Sequence, residues 1–221
     1  MDHIPKIQLS SLEEDLIKNT EWILAKHAVI KKVYEIFGAL QVIFENEVSL
    51  HANLFVGHTL QSAKITQGEK YQQLPYVILD YPAIWKQNIL AVRTMFWWGN
   101  FFSITLHLSG ENKKRFTGNM QQGLSFLQAN NFFICINNDE WQHHYSPENY
   151  ITATSISFSE MEVIIEKEFF KISKNISLNE WETAPDFIIN SFNEIMQFLQ
   201  INCQDGKKDL LPVFPKAGSG L

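Results

Sequence analysis

The sequence has few cysteines, few arginines and no long uncharged apolar run. Its 221 residues include two cysteines, Cys135 and Cys203, which form neither a disulfide framework nor a zinc-site spacing. No apolar run approaches the roughly 20 residues that a membrane-spanning helix needs. The N-terminal residues do not show a basic segment followed by an apolar one. The sequence therefore predicts a cytoplasmic chain that does not contact the membrane.

Motifs that mark common catalytic and cofactor sites are also missing. The chain has no G-x-x-x-x-G-K-[ST], G-x-G-x-x-G, H-E-x-x-H or G-x-S-x-G sequence. Adjacent His143 and His144 cannot share one helix face, and His51 and His58 lie in a segment without a clear helical pattern. The sequence therefore predicts no metal and no cofactor.

Positive charge is sparse and unevenly distributed. The net charge of −6 argues against a nucleic-acid partner. Residues 1–138 carry 12 Lys/Arg and 11 Asp/Glu, whereas residues 139–200 carry 3 and 11. Because the acidic part has a helical pattern, a solvated helix face explains it more simply than an acidic docking surface does. The excess of 16 lysines over two arginines is typical of an AT-rich bacterial genome.

The strongest feature that is present is the apolar stretch of residues 89–110. Two runs of apolar and β-branched residues flank a Gly-Asn break, which is the pattern of a hairpin in the centre of a sheet. Alternate side chains of a strand point to opposite faces. In the second run, one face is consistently apolar and consists of Phe102, Ile104, Leu106 and Leu108.

The length of the hairpin loop decides on which face Arg93 lies. A two-residue loop would pair Trp98 with Phe101 and place Arg93 on the apolar face, whereas a loop of odd length reverses the parity. Burying an unpaired guanidinium costs several kcal/mol, so we predict an odd-length loop with Gly99 or Asn100 at positive φ. Arg93 then shares the second sheet face with Ser103, Thr105 and His107.

These four polar residues are the predicted ligand site. An arginine on a sheet face can bind a carboxylate or phosphate through two hydrogen bonds, and a neighbouring histidine can act as a general base. The alternative is that Arg93 pairs with an acidic residue such as Asp80 and joins two elements of the fold. At the hairpin tip, Trp97 and Phe101 are either core residues or the anchors of an interface.

The predicted fold is α+β, with a mainly antiparallel sheet of four to five strands around the hairpin at residues 89–108. The other predicted strands cover residues 76–81 and 132–136. Helices at the two ends of the chain cover one sheet face: residues 12–46 form one bent helix or two, and residues 185–199 form the last helix. Residues 170–176 either extend a helix begun at Ser159 or form an edge strand, and we favour the helix. Residues 1–203 are predicted to be one domain, followed by a weakly ordered tail at residues 204–221.

Two functions are compatible with these patterns. The first is a non-enzymatic binding or assembly protein, with a protein partner or a second copy of the chain on the second sheet face. The second is a small-molecule enzyme or binding protein, in which Arg93 and His107 face an anionic ligand. The two differ in whether that face is covered by protein or open.

Overall fold

The computed structural model describes residues 7–86 and 88–201, and these form an α+β structure around one sheet. The sheet has seven strands in the order β1-β2-β3-β4-β7-β5-β6, and every neighbouring pair is antiparallel. The strands are β1 (Lys64–Tyr71), β2 (Leu74–Ile84), β3 (Leu90–Trp97), β4 (Phe101–Ser109), β5 (Phe133–Cys135), β6 (Tyr150–Thr152) and β7 (Phe169–Ser177). The α+β class is confirmed, but the predicted number of four to five strands is wrong. The predicted tail at residues 204–221 lies outside the described residues.

Seven α-helices accompany the sheet in the described part of the chain. They are α1 (Ser11–Lys18), α2 (Thr20–Leu50), α3 (Gly110–Arg115), α4 (Thr117–Gln122), α5 (Leu124–Ala129), α6 (Phe158–Ile165) and α7 (Ala184–Phe198). Residues 12–46 therefore fall in two helices, which break at Asn19, where the side chain accepts a hydrogen bond from the Trp22 amide. Within residues 7–86 and 88–201, none of the helices is both long and apolar enough to cross a membrane.

The central hairpin has the loop length that the sequence predicts. Trp97 pairs with Phe101, so three residues form the loop, and Gly99 has a φ of +70°. Glycine adopts this left-handed conformation without the steric cost that other residues incur. Arg93 pairs with Thr105 and lies on the second sheet face.

The first sheet face is the main hydrophobic core, and it packs against the helices. Val92, Phe102 and Ile104 are fully buried there together with residues from α2 and α7. Phe44 of α2 stacks on Phe192 of α7, with the ring centroids 3.8 Å apart. Fully burying a side chain of this kind contributes about 1.5–3 kcal/mol, so this face supplies most of the hydrophobic stabilisation.

Strand β7 is the main correction to the predicted fold. It covers residues that we expected to be helical, and it lies in the middle of the sheet between β4 and β5. Phe170 and Ile172 point into the main core, while Lys171 and Ser173 are buried on the second face. The sheet also contains β1, an edge strand of mostly polar residues that is not among the predicted strands.

Candidate functional site

The second sheet face is covered by a segment of the same chain. Between β5 and β6, residues 137–149 contain neither helix nor strand and cross over the polar side chains of β3, β4 and β7. We call residues 137–149 the covering loop. The side chain of Tyr145, a residue of this loop, packs between the loop and the sheet. Its ring lies 5.0 Å from that of Phe101 and 4.9 Å from those of Phe133 and Tyr150.

Two side chains from the sheet hold the covering loop through its backbone. The ammonium group of Lys171 donates hydrogen bonds to the carbonyl oxygens of Glu140 and Gln142, at 2.8 and 2.7 Å. The hydroxyl of Tyr71 accepts hydrogen bonds from the amides of His143 and His144, at 2.7 and 3.1 Å. The loop is therefore attached at both a central strand and an edge strand of the sheet.

Arg93 forms a two-point ion pair with Asp80 on the neighbouring strand. Its Nε lies 2.8 Å from Oδ1 of Asp80, and its Nη2 lies 2.9 Å from Oδ2. The two residues are direct partners in the β2–β3 register. The ring of Trp85 lies 4.8 Å from the guanidinium carbon, a cation–π distance. The alternative interpretation of Arg93, a partner for Asp80, thus agrees with the geometry.

A cavity of about 220 Å³ lies beside Arg93, under the covering loop. Nη1 of Arg93, the nitrogen that Asp80 does not engage, lies 3.5 Å from Nε2 of His143. The ring of Tyr76, which lines the cavity, packs directly on Gly68 of β1. A side chain at position 68 would collide with this ring. The lining residues are Tyr71, Tyr76, Ile78, Arg93, Met95, Trp141 and His143.

Ser103 and Thr105 belong to a buried hydroxyl cluster and do not line this cavity. The hydroxyls of Thr105 and Ser173 lie 2.7 Å apart, and Ser173 also donates to the carbonyl of Ile104 at 2.9 Å. The hydroxyl of Tyr145 makes a short hydrogen bond with Ser173. The hydroxyls of Thr105, Ser173 and Tyr145 satisfy one another, so they hold the Tyr145 side chain of the covering loop against the sheet.

His107 is enclosed by aromatic rings and does not line the cavity beside Arg93. The rings of Trp85, Trp141 and Phe169 all lie within 6.2 Å of the imidazole. Nε2 of His107 is 3.0 Å from Oε2 of Glu140, but the two groups are not oriented for a hydrogen bond.

Burial among these rings lowers the pKa of His107. Burial lowers the pKa to about 3, and the positive charges of Lys171 and Arg93 add to the effect. The Glu140 side chain beside the imidazole is 31% exposed, so water screens its charge. The imidazole is therefore neutral at pH 7, and its contact with Glu140 is not an ion pair.

The same two cations make the second face electropositive. Burial lowers the pKa of His143 well below its ordinary value, and Lys171 and Arg93 lower it further. Burial also lowers the pKa of Lys171 to about 8, while its two carbonyl acceptors favour the protonated amine. At pH 7 the face thus carries a positive Lys171 and the neutral imidazole of His107.

The structure separates the residues that the sequence grouped together. Arg93 lines the cavity, while His107 and the two hydroxyl residues lie elsewhere on the same face. Trp97 is buried against Tyr71 and Phe101, whereas Phe101 is partly exposed. Sequence reasoning missed Lys171, Tyr71 and Trp141, which attach or form the cover. In the described ranges, no group of three or more His, Cys, Asp or Glu side chains is arranged to hold a metal ion.

Replacing Lys171 with methionine is expected to loosen the covering loop. Methionine fills a similar volume, but the carbonyls of Glu140 and Gln142 lose a charged donor. We expect the backbone amides of His143 and His144 to exchange with solvent at least about tenfold faster, in hydrogen-exchange mass spectrometry.

The matched control is Lys174→Met on the same strand. Lys174 pairs with Glu194 of α7 at 2.8 Å and faces away from the covering loop. Its replacement should leave loop exchange unchanged. Equal exchange in the Lys171→Met variant and the unmodified chain would show that the two hydrogen bonds do not hold the loop.

Comparisons with protein-family models, curated proteins and solved structures gave no match to this chain.

Proposed function

We propose that this chain is a non-enzymatic binding protein and that a small aromatic anion occupies the cavity beside Arg93. The observation that carries the proposal is the orientation of the guanidinium group. Its Nε and Nη2 are held by Asp80, while Nη1 faces the cavity with one polar neighbour among the described residues, His143. An arginine fixed in this way can donate to a ligand without first losing side-chain freedom.

The cavity wall favours a ligand with a flat apolar part. Rings of Tyr76 and Trp141 line it, together with the side chains of Ile78 and Met95. Pockets for drug-sized molecules are typically about 300–1,000 Å³. A volume of about 220 Å³ therefore suits a molecule of about one ring.

The electrostatics favour a negative charge on that ligand. Asp80 compensates Arg93, but Lys171 adds a second buried positive charge on the same face. The pKa of His143 is lowered first by burial and then by these two cations, which indicates a positive potential next to Nη1. A carboxylate at Nη1 would gain a charge-assisted hydrogen bond in a partly dehydrated site.

Isothermal titration calorimetry with benzoate, benzamide and acetate tests the proposal. Benzoate combines the ring and the carboxylate, while each of the others lacks one of them, so benzoate is expected to bind most tightly. Arg93→Lys keeps a cation beside Asp80 but removes Nη1. This change is expected to weaken benzoate binding about tenfold, the loss of one charge-assisted hydrogen bond.

Two tryptophans of equal exposure provide a matched control for the aromatic wall. Trp141 lines the cavity and Trp22 lies on α2, and both are 48% exposed. Trp141→Leu should weaken benzoate binding, whereas Trp22→Leu should not. The proposal is wrong if benzoate binds no better than acetate, or if Arg93→Lys and Trp141→Leu both bind it as the unmodified chain does.

A further inference from the structure

A stripe of mostly small or apolar side chains, with a central lysine and glutamate, runs along α2 on the side that faces away from the sheet. Its positions alternate in steps of three and four residues and all of them are exposed: Ala25, Ala28, Lys32, Glu35, Ala39, Val42 and Asn46. Leu24 and Ile43 flank the stripe and are also exposed. This spacing is that of a helix which packs along a second helix. In the part of the chain that the structure describes, nothing buries these side chains.

The charges along α2 are distributed against the preference of an isolated helix. Residues 20–32 carry three lysines and one glutamate, a net charge of +2, and residues 33–50 carry three glutamates, a net charge of −3. The helix dipole favours the opposite distribution, with acidic residues near the N-terminus and basic residues near the C-terminus. One intrahelical ion pair, Lys31–Glu35 at 3.9 Å, joins the two halves of the helix, but the overall distribution remains opposite to the one that the dipole favours.

We infer that a second copy of this chain packs on the stripe, with the two α2 helices antiparallel. On the stripe itself, an antiparallel arrangement can place Lys32 of each helix beside Glu35 of the other. A parallel arrangement would instead place like charges side by side, Lys32 against Lys32 and Glu35 against Glu35. The surface is complementary to itself, as a twofold dimer interface must be.

One antiparallel register brings the stripes of the two copies into alignment. If Lys32 lies opposite Glu35 of the second copy, Ala28 lies opposite Ala39 and Ala25 opposite Val42. The twofold axis then generates two Lys32–Glu35 pairs at the centre. Small alanine side chains on both sides let the helix backbones approach closely. Leu24 and Ile43 lie on opposite edges of the stripe and extend its apolar surface on each side.

This surface is distinct from the second sheet face on which we predicted a homo-oligomer from the sequence. The covering loop lies on that face, whereas the stripe on α2 is open. The dimer also does not depend on the proposed ligand cavity, because Trp141 and His143 lie on the other side of the sheet.

A charge exchange across the dimer axis is the main test. Size-exclusion chromatography with light scattering over a dilution series should give twice the monomer mass for the unmodified chain. Lys32→Glu and Glu35→Lys each create two like-charge pairs and should each weaken dimerisation at least about tenfold. The double variant restores opposite charges and should recover the affinity of the unmodified chain.

Disulfide cross-linking is a second test, and it distinguishes antiparallel from parallel packing of the two α2 helices. With Cys203 replaced by serine, a chain carrying Ala28→Cys mixed with a chain carrying Ala39→Cys should form a disulfide-linked heterodimer under oxidised glutathione. Either variant alone should not cross-link, because Ala28 does not face Ala28 in the antiparallel register.

Three outcomes would overturn the inference. The first is a monomer at every concentration, and the second is a double charge variant no better than the single ones while all remain folded by circular dichroism. The third is a dimer that appears only after residues 202–221 are removed, since that segment would then be the occupant of the stripe.

Discussion

Asp80→Ala is expected to lower the free energy of unfolding by about 3 kcal/mol, because it leaves the Arg93 guanidinium without its carboxylate. Removing one partner of a buried ion pair typically costs about 3–5 kcal/mol. The Arg93 and Asp80 side chains retain 17% and 11% exposure, which places the expected value at the lower end. Urea denaturation followed by circular dichroism measures the change.

Two further variants separate the charge from the packing. Asp80→Asn keeps an acceptor for the guanidinium but removes the negative charge, so its effect should be smaller than that of Asp80→Ala. Replacing both Asp80 and Arg93 with leucine should cost less than Asp80→Ala alone, since no charge is left unpaired. A loss below about 1 kcal/mol for Asp80→Ala would mean that water already screens the pair as it does on an open surface.

The position of Arg93 was predictable from the sequence because one strong local rule decides it. A side chain on a strand changes face when the register shifts by one residue, and only an odd-length loop keeps a guanidinium off the apolar face. The observed three-residue loop agrees with that argument. The identity of the ion-pair partner was left open, since Asp80 lies on another strand whose register the hairpin does not determine.

Strand β7 shows where local reasoning failed. Its sequence alternates, with Phe170, Ile172 and Ile176 in the main core and Lys171 and Ser173 on the second face. Lysine at a buried position is unusual, so the alternation of Phe170, Lys171 and Ile172 does not by itself indicate an interior strand. The two carbonyl acceptors that make a buried lysine tolerable belong to the covering loop, about 30 residues earlier in the chain.

The covering loop and the core-facing side of α2 illustrate two kinds of information in the sequence. Residues 137–149 have no periodicity, and their position depends on contacts with Tyr71 and Lys171 from distant strands. The apolar face of α2, in contrast, follows from helical spacing, because Ile30, Val33, Phe37, Leu40 and Phe44 recur every three or four residues and pack on the main core.

Acidification is expected to destabilise the folded chain through His107. The folded pKa of His107 is about 3, below the ordinary value of 6.5, chiefly because of burial. Above pH 6.5 the imidazole is neutral in both folded and unfolded states, so the full stability is present. Between pH 6.5 and 3 the unfolded chain takes up a proton that the folded chain does not. Stability should therefore fall as the pH falls, by up to about 1.4 kcal/mol per pH unit for this group.

His107→Phe isolates this contribution, because phenylalanine keeps the ring contacts with Trp85 and Trp141 and cannot be protonated. The difference in unfolding free energy between this variant and the unmodified chain should change by roughly 3 kcal/mol between pH 6.5 and 4, in favour of the variant. Trp22→Leu on α2 changes no titratable group, so its difference from the unmodified chain should not vary with pH. Carboxylates titrate equally in all three chains and cancel in the comparison. If the difference for His107→Phe is also constant with pH, the Glu140 carboxylate stabilises the imidazolium enough to offset the burial, and the contact at 3.0 Å then becomes an ion pair in acid.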